Sequence, residues 1–277
     1  LGELAKGFQQ ETGLDIDLIA SHGHTIFHDP KNWITSQIGD GATLSATAGI
    51  PAVTNFRRGD VALGGQGAPL VGLGDDLLFN DYDFCLNLGG FSNVSFEEKG
   101  QRIAFDISPV NTVLNYYAND MGLPYDDGGT IAKTGTIHPE LLSQLNGLAY
   151  YKMAYPKSLG MEFVNDTIFP ILHSFAIPTV DILRTFVEHI AFQIAAVCKP
   201  NTKLLITGGG AYHTFLIDRL QHYVPSVQIT IPDDKTIQFK EALIFALLGV
   251  LRLRNEVNVL ASVTGAQRDH SSGQIYI

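Results

Sequence analysis

At 277 residues, with 45% hydrophobic and 17% charged side chains, the chain can build one large or two modest cores, which excludes general disorder. Its net charge of -10 excludes nucleic acid as a bulk electrostatic partner and leaves room for a small anion held by a local donor cluster. Cys85 and Cys198 lie in apolar runs without metal-ligand spacing, no run reaches the length of a membrane span, and no signal peptide stands at Leu1, so a reducing cytoplasmic setting is expected.

Leu1–Gln10 has helical spacing that stops near Gly13, and Ile16–Ala20 is a short apolar strand. Ser21, His22, Gly23, His24 and Thr25 then fall at a strand's C-terminal end, where open α/β sheets place ligand groups. His22, His24 and His28 lack the helical spacing and companion ligands of a metal site, so a polar loop is expected and no metal centre. Asp40 is an N-cap for a helix at Ala42–Ala48. Val53–Phe56 reads as a buried strand followed directly by Arg57 and Arg58, then by the glycine-rich run to Pro69. An Arg pair between a strand end and glycines suits an anion or sugar hydroxyls better than a solvated edge does.

Gly72, Gly74, Asp75 and Asp76 interrupt the pattern, and a domain switch is expected between Leu73 and Asp83. Phe84–Leu88, Phe91–Phe96 and Arg102–Phe105 read as three strands, the first two joined by Gly89-Gly90. A Gly-Gly tip tolerates positive φ and bares backbone N–H groups to a phosphate. Asp106 stands just past the third strand, as a site carboxylate or as a helix cap in a plain meander. Asp126-Asp127 before Gly128-Gly129 reads as a turn rather than a Mg²⁺ site. Val180–Cys198 is an amphipathic helix, with His189 as a face residue. Lys203–Ile206 is a strand, and Gly208, Gly209 and Gly210 open the next helix, an arrangement that favours a nucleotide without being a Walker A loop. Phe239–Leu253 is a helix carrying Lys240 and Glu241, and Gln267–Ile277 is expected to be disordered.

The stretches NLGGFSNVSF, AFDISPVNTVLN and YDDGGTIAKTG resemble the anhydro-N-acetylmuramic acid kinases. So do Arg57, Arg58, Asp60 and Gly64–Pro69, the Pro-Lys-Ser of 156–158, and the closing Val-Thr-Gly-Ala ending at Ala266. The resemblance implies an α/β, two-domain actin-like ATPase fold of ribonuclease H-like type with a central cleft. Residues 1–80, with 254–277 packing back, would form the sugar-side domain, and residues 81–253 the nucleotide domain. It implies ATP and Mg²⁺ as cofactors and a reaction of cell-wall recycling. Water opens the 1,6-anhydro ring, and O6 takes a phosphoryl group. Asp106 would be the base. His22, His24, Arg57, Arg58, Asp60, Gln66 and Glu241 would hold sugar, with His24 where the family usually has Gln. Gly89, Gly90, Asn93, Asn111 and Gly208–Gly210 would hold nucleotide. Both glycines of the family's Thr-Gly-Pro-Gly-Asn after the base are replaced, by Ser108 and Val110.

The family's phosphate-holding hairpin, Gly-Thr-Ser-x-Asp-Gly, has no counterpart in these residues, so the first domain is expected to be incomplete. The alternative reading is therefore a non-catalytic sugar-binding relative or an inactive form with weak ATP binding. An unpaired edge in the first domain's sheet also leads to the expectation of a homodimer.

Overall fold

The structure is a computed structural model and describes residues 1–277. In chain order the elements are helix α1 (Gly2–Thr12), strands β1 (Ile19–Ala20), β2 (His24–Asp29) and β3 (Ile34–Ile38), helix α2 (Gly41–Ala48), strand β4 (Ala52–Thr54), and helices α3 (Phe56–Ala62) and α4 (Gly72–Leu78). Strands β5 (Phe84–Leu88), β6 (Phe91–Glu98) and β7 (Gln101–Pro109) follow, then helices α5 (Asn111–Asp120) and α6 (Pro139–Asn146). A π-helical stretch joins α7 (Met161–Phe163) to α8 (Phe169–His173). Next come α9 (Thr179–Ala195), β8 (Lys203–Thr207), α10 (Thr214–Tyr223), β9 (Gln228–Thr230), α11 (Asp234–Leu253), α12 (Ala261–Thr264) and β10 (Gln274–Tyr276).

The chain divides into two compact units, Leu1–Phe79 with Glu98–Ile103 and Phe239–Ile277, and Asn80–Glu97 with Ala104–Gln238. The second unit holds a five-stranded sheet in the order β7-β6-β5-β8-β9. Strand β5 is antiparallel to β6 and parallel to β8, which is parallel to β9. An antiparallel meander continued by parallel strands is the ribonuclease H-like order, as expected. The central strands are apolar on both faces: Phe84, Cys85, Leu86 and Leu88 in β5, and Leu204, Leu205 and Ile206 in β8, are all buried. The stripe Ile182, Leu183, Phe186, Ile190 and Ile194 of α9 is buried as its spacing predicts.

In the first unit the sheet order is β1-β4-β10, with β1 parallel and β10 antiparallel to β4. Its core is Val53, Phe56, Leu70, Ile244, Phe245, Leu248 and Val259. Because Ile244, Phe245 and Leu248 fill this core, residues 239–253 belong with the first unit, although the sequence reading places them in the second.

Other local expectations are corrected. Residues 267–277 are ordered. Ile275 registers with Val53, and Asn258 donates to Ser272 O at 2.8 Å while accepting from Ser272 N–H at 2.6 Å. The strand ends at Thr54 rather than Phe56, and Arg57 and Arg58 lie in α3 rather than directly after a strand, because Asn55 in the left-handed region (φ 58) turns β4 straight into a helix. The Gly72–Leu78 break is a helix, and His24 begins a hairpin, β2–β3. Strand β7 runs to Pro109, so Asp106 lies inside it. Neither Gly89 nor Gly90 has positive φ. His189 is fully buried rather than a face residue.

Candidate active site

Within the first unit, His22 follows β1, and Ser21 N–H donates to Val53 O at 2.9 Å to continue the strand pairing. His22 Nδ1 lies 2.9 Å from Gly23 O. A carbonyl oxygen only accepts, so Nδ1 carries the proton and Nε2 receives the Arg57 Nε–H at 2.7 Å. Burial, with the Arg57 charge beside it, pushes the imidazole below its ordinary value and keeps that acceptor available. Arg57 Nη1 donates to Gly67 O at 2.8 Å, so two of its donors fix the guanidinium plane.

Asp60 is fully buried. One carboxylate oxygen accepts Gly67 N–H at 2.6 Å and the other accepts the Thr264 hydroxyl at 2.6 Å. Gln66 N–H donates to Thr264 O at 2.8 Å. Thus Arg57, Asp60 and Gln66 act on one glycine loop and tie it to the Val263–Ala266 segment. Arg58 and His24 are exposed, the latter opposite Ile38 in its hairpin. Glu241 is exposed on α11, whereas its neighbour Lys240 is buried and paired with Asp75 at 2.6 Å.

Within the second unit, the candidate residues gather at one end of the parallel strands, the position open α/β sheets use for ligands. Asn87 registers with Asn93 on β6 and with Thr207 on β8, just before Gly89 and Gly208. The carbonyls of Gly89 and Gly90 accept from Asn111 and Val110 N–H, at 3.2 and 2.8 Å, docking the hairpin on the start of α5. Asn111 Nδ2 donates to Leu88 O at 3.2 Å.

The three glycines after β8 differ. Gly208 has φ 81, and a Cβ there would lie 2.5 Å from Asn87 Oδ1; at Gly210 a Cβ would lie 2.7 Å from Leu88 Cβ. Internal packing accounts for both. A Cβ on Gly209 would meet nothing nearer than Asn111 Nδ2 at 3.7 Å, so space beside it is open to a ligand. Asn87 escaped the sequence reading; its signal is one polar residue in the apolar run FCLNL.

Asp106 is half-buried on β7. Ser92 Oγ accepts Ser108 N–H at 3.1 Å and donates to Ser108 O at 3.0 Å, which fixes this end of β7 beside the Gly89-Gly90 turn. Asp106 Oδ2 accepts Leu159 N–H at 2.8 Å. Asp126 is a turn-maker, its oxygens accepting Ile131 and Ala132 N–H at 2.9 and 2.8 Å. No group of three or more His, Cys, Asp or Glu side chains converges as a metal cage.

A family model described as anhydro-N-acetylmuramic acid kinase matches residues 5–277. The anhydro-N-acetylmuramic acid kinase of Aliivibrio fischeri is 37% identical over 95% of this chain and 76% of its own length. That of Saccharophagus degradans is 35% identical over 96% of this chain and 77% of its own. Among solved structures, the activator of the 2-hydroxyisocaproyl-CoA dehydratase of Clostridium difficile aligns at TM-score 0.42 and 13% identity, over 78% of this chain and 84% of that one.

Proposed function

The chain belongs to the anhydro-N-acetylmuramic acid kinase family, an ATP-using group of sugar kinases, and we propose that Asp106 is its general base. The single observation that carries this assignment is the half-buried Asp106 carboxylate, oriented by Leu159 N–H and lying two residues before Ser108, which Ser92 fixes beside the Gly89-Gly90 turn. Asp106 takes a proton from water as the water attacks the anomeric carbon of 1,6-anhydro-N-acetylmuramic acid. The anhydro C–O bond breaks, and the released O6 attacks the γ-phosphorus of ATP, giving N-acetylmuramic acid 6-phosphate and ADP. Cytoplasmic cell-wall recycling is part of this reading. No helix is long and apolar enough to cross a membrane.

On the sugar side, Arg57 is the donor whose direction His22 and Gly67 fix, and Asp60 holds the loop rather than touching sugar. Arg58, His24, Gln66 and Glu241 complete that side. Nucleotide lies against Gly209, with Gly89, Gly90, Asn93 and Asn111 around it and Gly208 and Gly210 shaping the turn. Mg²⁺ would neutralise phosphate charge when it arrives with ATP. A homodimer is part of the proposal, supported by the exposed apolar side chains Phe27, Trp33 and Ile38 of the β2–β3 hairpin. Sedimentation velocity tests that part. The function itself is tested by ATP turnover with and without the anhydro sugar. Sugar-dependent ADP release that Asp106→Asn abolishes is the expected result. Sugar binding without turnover would support a non-catalytic relative.

A further inference from the structure

We infer that the segment from Tyr150 to Leu159 is a clasp that orients and ionises Asp106, a positioning role that rests on the reading of Asp106 as base. Strand β7 is the edge of its sheet. On an antiparallel edge strand, alternate residues aim both N–H and C=O away from the sheet, where they need partners. The clasp supplies them at Asp106. Asp106 N–H donates to Lys157 O at 3.2 Å, and Asp106 O accepts the Tyr150 hydroxyl at 2.6 Å. The side chain is held as well, through Leu159 N–H on Oδ2 at 2.8 Å. One short segment therefore fixes both the main chain and the carboxylate of a single residue.

The clasp is itself fastened by side chains. Lys157 Nζ donates to Tyr150 O at 3.2 Å and sits 4.7 Å from the centre of the Tyr150 ring and 5.3 Å from that of Phe105. The Tyr155 ring stacks on Phe105, the residue before Asp106, with centroids 5.5 Å apart and planes 6° from parallel. Burial, with the Asp106 charge nearby, drives the Tyr150 phenol upward, so its hydroxyl stays protonated and donates at any working pH. A backbone N–H aimed at a carboxylate favours the ionised form and fixes its plane. A base must be ionised and aimed when water arrives, and the clasp provides both before substrate binds.

The test removes only the Leu159 N–H, by replacing that residue with its α-hydroxy acid so that an ester stands in place of the amide. The Asp106 carboxyl is followed by ¹³C NMR in the ligand-free chain, its resonance assigned with Asp106→Asn. The ester chain is expected to titrate Asp106 at higher pH and to lose roughly 10-fold in kcat, the loss of one hydrogen bond to a charged group, with KM for sugar unchanged. The acid limb of its kcat profile moves upward in step. Tyr150→Phe is the second variant should the ester chain not fold; it is expected to move both readouts in the same direction. An Asp106 titration that neither variant moves overturns the clasp. A moved titration with an unmoved kcat profile overturns its catalytic role. Full turnover by Asp106→Asn overturns the base assignment instead, and the titration separates that failure from failure of the clasp.

Discussion

The two units build their candidate sites by different means. In the first, side chains hold one another: Arg57 on His22, and Asp60 between Gly67 and Thr264. In the second, backbone does most of the holding: Gly208 packs against β5, hairpin carbonyls cap α5, and an amide of the clasp orients Asp106. A side-chain network fails as a unit when one member is removed, because the partners left behind are buried and unsatisfied. A backbone-built site tolerates exchange of the reactive side chain and is sensitive instead to any added Cβ.

The sharpest break of this comparison is Asp106→Asn. The amide is nearly isosteric and still accepts Leu159 N–H, so fold and ATP affinity should hold while sugar-dependent turnover falls ~10²–10⁴-fold. Steady-state kinetics with calorimetric ATP titration check this; a parallel loss of ATP binding would make Asp106 part of the scaffold.

Next in size is the contrast between Gly208→Ala and Gly209→Ala. At Gly208 the new methyl meets the Leu88 carbonyl at 2.8 Å and the backbone is left-handed, so a loss of about 2–4 kcal/mol is expected. At Gly209 stability should hardly change while ATP binding weakens. Thermal unfolding and calorimetry separate the two, and equal effects would mean that Gly209 is packed as closely as Gly208.

On the network side, Asp60→Asn keeps the shape but aims an NH₂ at either Gly67 N–H or the Thr264 hydroxyl. About 1–3 kcal/mol should be lost, KM for sugar should rise, and Asp106 chemistry should be untouched. Combined with Arg57→Ala it should be non-additive, as residues of one network are. Additive effects in urea titrations would dissolve the network.

At neutral pH, where it contributes no slope, a buried histidine stands apart from the site. His189 lies between Tyr151 and Asn146 Oδ1, at 2.8 and 2.6 Å, and burial lowers its pKa to about 3. The folded chain therefore binds this proton only near pH 3, whereas the unfolded chain takes it up below about 6.5. Stability is full above that value and falls by up to about 1.4 kcal/mol per pH unit between the two. His189→Gln should flatten the part of the slope above pH 4.5. Below that, Glu188, held at about 2 largely by Arg219 and Tyr223 against its burial, loses its own contribution as it protonates. His22, also lowered, should lose its hold on Arg57 only on the acid side, so sugar affinity should be flat through neutrality.

Strands, glycine turns and the α9 stripe could be read from the sequence because each rests on local chemistry: apolar runs, missing Cβ atoms, helical spacing. The motif stretches likewise fixed the family, since Arg57–Pro69 and NLGG carry their meaning in order along the chain. Three-dimensional partners decided the rest. Residues 267–277 look disordered by composition, yet β10 completes a sheet because β4 presents an open edge more than 200 residues earlier. Asp60 reads as a ligand by its motif, and only the tertiary structure brings Gly67 N–H and the Thr264 hydroxyl to its two carboxylate oxygens. Nothing in the residue type of Leu159 announces its function, because an amide N–H is common to all residues but proline. Where the chain folds back on itself decides which amide meets the carboxylate, and that is a property of the tertiary structure alone.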